Sequence, residues 1–136
     1  MTGKIVHVNP NGLLKSSLFS QVVTTRGNGT TIYVGGQNAI NSNGEVIGKG
    51  DIHTQTIQVM YNIKTALSAC GATFENIVKL TIYIVEGQDI SAAFQASQRV
   101  VGFVNPPSIS GVIVSGLTNP EYLIEIDTIA FLPDDV

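Results

Sequence analysis

Charge is the scarcest property of this sequence. Only 12% of its residues are Asp, Glu, Lys or Arg, against 43% hydrophobic, which is about half the usual charged share. A small monomer needs more polar surface than that, so the shortage points to subunit contacts that cover apolar faces. Cationic side chains are fewer still: five Lys and two Arg, scattered along the chain without interleaved aromatics, leave a net charge of −3. A phosphate-binding surface needs clustered Lys and Arg, so the pattern argues against a nucleic-acid partner and none is expected. Cys70 is the only cysteine, which rules out a disulfide within the chain and fits a reducing, cytoplasmic setting. Following Ala69 near the end of a helical stretch, it reads as a small core residue. No apolar run approaches the roughly 20 residues that cross a bilayer, and Met1-Thr-Gly-Lys leads into a strand rather than a signal peptide. No membrane association is expected. The 136 residues suit a single domain spanning 1–136.

Signatures of common chemistry are also missing. His7 and His53 are isolated, with no H-x-x-x-H or C-x-x-C spacing, so no metal site is expected. There is no glycine-rich nucleotide loop and no G-x-S-x-G.

What is present is a sequence of alternating and helical patterns. Lys4–Val8 and Gln21–Arg26 read as short strands. Gly27-Asn28-Gly29 carries a hairpin turn signal leading into a strand over Thr30–Gln37. The pair Gly35-Gly36 closes that strand, as expected where backbone approaches another segment or a ligand. Asp51 is a helix N-cap. After it, Thr56, Val59, Met60, Ile63, Ala66, Leu67 and Cys70 recur at helical spacing, and Gly71 is placed to end the helix in a left-handed conformation. Ile77–Val85 is a strand, with Val78, Leu80, Ile82 and Ile84 on one face and Ile77, Tyr83 and Val85 on the other. Ile90–Val104 is a second helix, with Ile90, Ala93, Phe94, Ser97, Val100 and Val101 inward. Ile109–Ser115 and Leu123–Phe131 close the chain as a hairpin. The fold class is α+β: a mostly antiparallel or mixed sheet with two helices on one face.

One residue demands an explanation. In the last strand Ile124, Ile126, Thr128 and Ala130 form one face, and Leu123, Glu125, Asp127, Ile129 and Phe131 the other. Glu125 thus sits in a strongly apolar strand, where a lone buried carboxylate costs several kcal/mol or more. Either water reaches it, as on a wet sheet face, or something pairs with it.

The order of motifs resembles the RidA/YjgF family. The resemblance is carried by Ser17-Leu18-Phe19-Ser20-Gln21-Val22, by Ile32-Tyr33-Val34-Gly35-Gly36-Gln37, and by Gln58, Asn62, Ile63 and Leu67 before Gly71-Ala72-Thr73 and Val78-Lys79. The C-terminal run Pro107, Ser110, Val112, Val114, Leu117, Ile124-Glu125-Ile126 and Ile129-Ala130 matches the family signature, so nearly the whole chain is covered. The resemblance implies a chorismate-mutase-like fold, a homotrimer and ligand clefts between subunits. It also implies cofactor-free hydrolysis of reactive enamines and imines, such as 2-aminoacrylate, to a keto acid and ammonia. Glu125 falls at the position of the carboxylate that handles water and protons, and Gly35 and Gly36 would line the cleft.

The departures concern the pocket. The family's arginine, which would grip a substrate carboxylate in bidentate fashion, is Ile109. Its loss removes a contact worth about 2–5 kcal/mol. Phe19 replaces a tyrosine, Gly111 a cysteine, Gln98 an asparagine and Gly35 a serine. Arg99, on the second helix, and Arg26 are the arginines left to substitute. The expected activity is an imine/enamine deaminase of altered specificity, acting on a neutral or larger substrate with Glu125 catalytic. The alternative is a non-catalytic trimer that binds a small metabolite or acts as a regulator. Ribonuclease activity, attributed to some relatives, fits poorly with an acidic chain.

Overall fold

A computed structural model describes residues 1–135. Two antiparallel strands, β1 (Lys4–Val8) and β2 (Val22–Arg26), form a small ribbon. The main sheet has four strands in the order β3-β6-β4-β5, where β3 is Gly29–Gln37, β4 Ile77–Val85, β5 Ser108–Val114 and β6 Ile124–Pro133. β6 is antiparallel to both β3 and β4, whereas β5 runs parallel to β4.

Helix α1 (Ile52–Ala69) joins β3 to β4, and α2 (Ile90–Val100) joins β4 to β5. Each link is a crossover between parallel strands, for which the right-handed path is the rule. Two such crossovers advancing in the same direction across the sheet bring both helices to one face. The fold is thus α+β with a mixed sheet and two helices on one side.

Local signals set α1. The Asp51 carboxylate accepts from the backbone N–H groups of His53 and Thr54 at its start. At its end the Ala72 N–H donates to the Leu67 carbonyl and the Gly71 N–H to that of Ser68. Gly71 takes φ +77° there, a conformation that other residues adopt only with strain. Between these caps Val59, Met60, Ile63 and Leu67 are buried against Ile124, Ile126 and Ala130 of β6 and Ile32 and Val34 of β3. Each such fully buried side chain contributes about 1.5–3 kcal/mol. Gln55 lies in this core without exposure; its amide donates to the carbonyls of Gly48 and Glu121 and accepts from the Leu123 N–H, so its polar atoms are partnered.

Several expectations need correction. β2 and β3 do not form a hairpin. The turn conformation is real, with Gly27 at φ +80°, but the chain there steps from the ribbon to the main sheet, and β3 pairs with β6 instead. β5 and β6 are likewise not a hairpin, because β4 lies between them. Helix α2 ends at Val100, since Val101 is already extended at φ −136° and ψ 126°. Ile77 is buried in the core rather than on the open face, because a register shift between Ile77 and Lys79 reverses the alternation there. Cys70 is exposed, not a core residue, because α1 unwinds at that position.

The face of the sheet away from the helices is open. Tyr33 is 78% exposed there, and the same face carries half-buried Glu125 and Asp127 of β6 and Tyr83 of β4. Phe131, at the end of β6, is the exception: it is buried against Gly3 and Gly29, whose missing Cβ atoms make room for its ring.

Candidate functional site

The candidate site residues fall into two groups on opposite faces of the main sheet. The first begins with the loop after β1. The Ser20 hydroxyl donates to the Pro106 carbonyl, and the Ser20 N–H donates to that of Pro107. His7 Nδ1 lies 3.2 Å from the same hydroxyl and 3.1 Å from the Pro106 oxygen. These bonds fix Leu18 and Phe19 beside the start of β5.

Helix α2 packs mainly on α1 and leaves an apolar groove above β4 and β5. Its cavity of about 270 Å³ is lined by Phe19, Phe94, Gln98, Phe103, Ile109 and Ile126, among others. A second space of about 160 Å³ continues along α2 to Gly111, sharing Ile82, Phe94, Ser97 and Ile126 with the first. A Cβ on Gly111 would meet open space, so the absent side chain leaves the groove continuous. Phe94 is 42% exposed, since the apolar stripe of α2 is wider than α1 covers. Ser97 Oγ donates to the Phe94 carbonyl at 2.7 Å.

The second part lies on the open face. Gly35 and Gly36 together oppose the single residue Asp127, because the register jumps from Val34↔Thr128 to Gln37↔Ile126. This is a β-bulge, and it turns Gly36 toward Glu125. A Cβ on Gly36 would lie 2.6 Å from Glu125 Oε2, so only glycine leaves the carboxylate its place. Glu125 is paired in register with Tyr83. The Tyr83 hydroxyl donates to Asp127 Oδ2 at 3.5 Å. The negative charge of Asp127 raises the phenol above its ordinary value of 10.0, helped by desolvation, by that hydrogen bond and by the charge of Glu125. Lys79 Nζ donates to Ser110 Oγ at 2.7 Å.

Register places these groups apart. Ile109 is level with Leu80, on the helix face, and Glu125 with Tyr83, on the open face. Phe19, Gln98 and Ile109 are therefore brought together in the groove, with Gly111 in its extension, whereas Gly35, Gly36 and Glu125 form a separate cluster. Arg99 is exposed on α2 and does not line the groove, and Arg26 is exposed on β2. Sequence reasoning missed Phe94, Phe103 and Leu18 as groove residues. Phe94 was legible only as a helix-stripe residue, the same signal that core residues give. It also missed Tyr83 and Asp127 as neighbours, because the pairing of β4 with β6 that brings them together is not encoded locally. Among the described residues no cluster of His, Cys, Asp or Glu could hold a metal.

A small mixed sheet with two helices on one face makes this an α+β protein, and the chorismate-mutase-like type expected from the resemblance is supported by the family and structural matches. The sequence profile described as Endoribonuclease L-PSP matches residues 12–132, and the chain belongs to the RidA/YjgF family. A RutC family protein of Pyrococcus horikoshii is 35% identical over 104 residues, covering 76% of this chain and 80% of its own. The crystal structure of YyfB, a Rid family protein of Yersinia pestis, matches with a TM-score of 0.83 at 34% identity, over 94% of this chain and 98% of that one. RidA from an Antarctic Psychrobacter shares the fold at a TM-score of 0.68 and 23% identity, over 91% and 94% of the two chains. No described helix is long and apolar enough to cross a membrane.

Proposed function

We propose that this chain is an imine/enamine deaminase whose specificity is altered by Ile109, acting as a homotrimer with its sites between subunits. The observation that carries the reading is the division of the site. Glu125 and Gly36 share the open face, while Phe19, Gln98 and Ile109 line the groove on the opposite face. A site that uses both must take them from two copies. The wide open face and the low charge content support such an assembly.

In the assembled site the groove holds the substrate body, and the Glu125 carboxylate of a neighbouring copy accepts a proton from water as it adds to the C=N carbon. Return of protons to nitrogen lets ammonia leave. No cofactor enters this scheme.

The test compares wild type with Glu125→Gln on a panel of imines generated in situ by amine and amino-acid oxidases, with ammonia or carbonyl release as readout. Sedimentation is run alongside. The expected result is a species of three times the chain mass and a loss of turnover of at least about 100-fold in the variant, the usual range for a general base. A monomer, or full activity in Glu125→Gln, would overturn the reading. Binding without turnover is the second reading, and it would appear as ligand affinity unaffected by the Glu125 change.

A further inference from the structure

The lining of the groove goes further than a missing arginine. Apart from Ser97 and Gln98, the side chains facing the larger cavity are hydrophobic, and no Lys or Arg is among them. The Ser97 hydroxyl is engaged with the backbone of its own helix. Gln98 alone brings both an amide donor and an amide acceptor to the wall. Phe19, Phe94 and Phe103 offer aromatic surface around it, and Ile109 puts a branched hydrocarbon at the β5 side. At the roughly 30 Å³ that a water molecule occupies in the liquid, a cavity of about 270 Å³ holds a body about the size of a substituted benzene ring, and the space running on to Gly111 admits a longer tail.

We propose that the groove takes an uncharged imine, one with an aromatic or branched aliphatic group, no carboxylate, and a single polar centre oriented by Gln98. This rests on the reading that the groove is the substrate half of the site. A carboxylate placed there would lie against the apolar walls of this chain's groove and find no Lys or Arg among them to replace the hydration it loses. A neutral C=NH group loses much less and recovers a hydrogen bond from the amide. The reaction balances as hydrolysis. The water oxygen bonds to the imine carbon to give a carbinolamine, the C–N bond then breaks, and one ketone or aldehyde and one ammonia leave for each water consumed. Oxidation of an amine, rather than of an amino acid, is the class of reaction that must supply such a substrate.

The test uses two carbonyl probes that differ mainly in a methyl group against a carboxylate: phenylacetone and phenylpyruvate. Binding to the wild-type protein is followed by titration calorimetry and by protein-observed NMR. Phenylacetone is expected to bind at least tenfold more tightly. Ile109→Arg is expected to reverse the order, and Gln98→Leu to weaken phenylacetone several-fold with the fold intact by circular dichroism. Equal or tighter binding of phenylpyruvate by wild type overturns the proposal, whether or not Ile109→Arg folds. A retained preference for phenylacetone without turnover of any imine supports this inference and removes the hydrolase reading. Turnover of carboxylate-bearing imines with no preference between the probes does the reverse.

Discussion

Glu125 and Gly36 meet across neighbouring strands with no room for a methyl group between them: a Cβ at position 36 would stand 2.6 Å from Glu125 Oε2 and 2.9 Å from its Cδ. The atoms in conflict are the far end of a flexible side chain, so the collision moves the carboxylate rather than the sheet. Gly36→Ala is therefore expected to cut imine hydrolysis at least about tenfold, at a stability cost of no more than about 1–3 kcal/mol, the range for modest overpacking. Paired measurements of turnover and urea unfolding check this. A variant that unfolds more readily yet turns over normally would place the carboxylate outside the chemistry.

Gln55 ties three segments together, through the Gly48 and Glu121 carbonyls and the Leu123 N–H. Gln55→Leu keeps the volume roughly but leaves these backbone groups facing a buried hydrocarbon without their partner. The expected loss is about 2–5 kcal/mol, from unsatisfied buried groups at about 1–3 kcal/mol each. It should appear as a lower urea midpoint with an unchanged m-value.

The cap of α1 makes stability depend on acid. Hydrogen bonds from the Thr54 hydroxyl and then the Thr54 N–H, with smaller help from His53, hold the Asp51 carboxyl below its ordinary 3.8. A lowered folded value means that the stabilisation is present above 3.8 and is lost as pH falls through the folded value. Asp51→Ala should lower Tm at neutral pH, and the gap between variant and parent should close in strong acid. Thermal melts across that range decide it; a gap independent of pH would deny the carboxylate its role.

At the other end of the scale, Tyr83 should ionise above 10.0, chiefly because of the Asp127 charge. The raised folded value means that its contribution is present below 10.0 and disappears as pH rises through the folded value. Asp127→Asn should bring the Tyr83 titration back toward 10.0, read as phenolate absorbance by difference against Tyr83→Phe.

Much of the fold was legible in the sequence where local chemistry decides it. Asp51 and Gly71 bracket α1, and the period of Ile124, Ile126, Thr128 and Ala130 identified the buried face of β6, because caps and alternation act over a few residues. Strand partners were not legible. Gly27-Asn28-Gly29 has the composition of a hairpin, but whether β3 pairs with β2 or with β6 is settled by apolar faces about a hundred residues apart in the chain. For the candidate site, the strand pattern singled out Glu125, and the resemblance added its expected role together with Ile109, Phe19 and Gln98. Their separation onto opposite faces depends on the parallel register of β4 and β5, which no local signal encodes. The role of Phe94 escaped for a similar reason, since one periodicity serves both a packed helix face and a half-open one.

The placement of β6 between β3 and β4 bears on how the chain is made. Ribosomes emit the strands in numerical order, so β3 and β4 must wait with exposed, unsatisfied edges until the segment after Leu123 has emerged. Closure of the sheet is then a late, long-range event of the kind that slows folding and invites aggregation. Nascent chains halted before β6 should be the ones that chaperones capture.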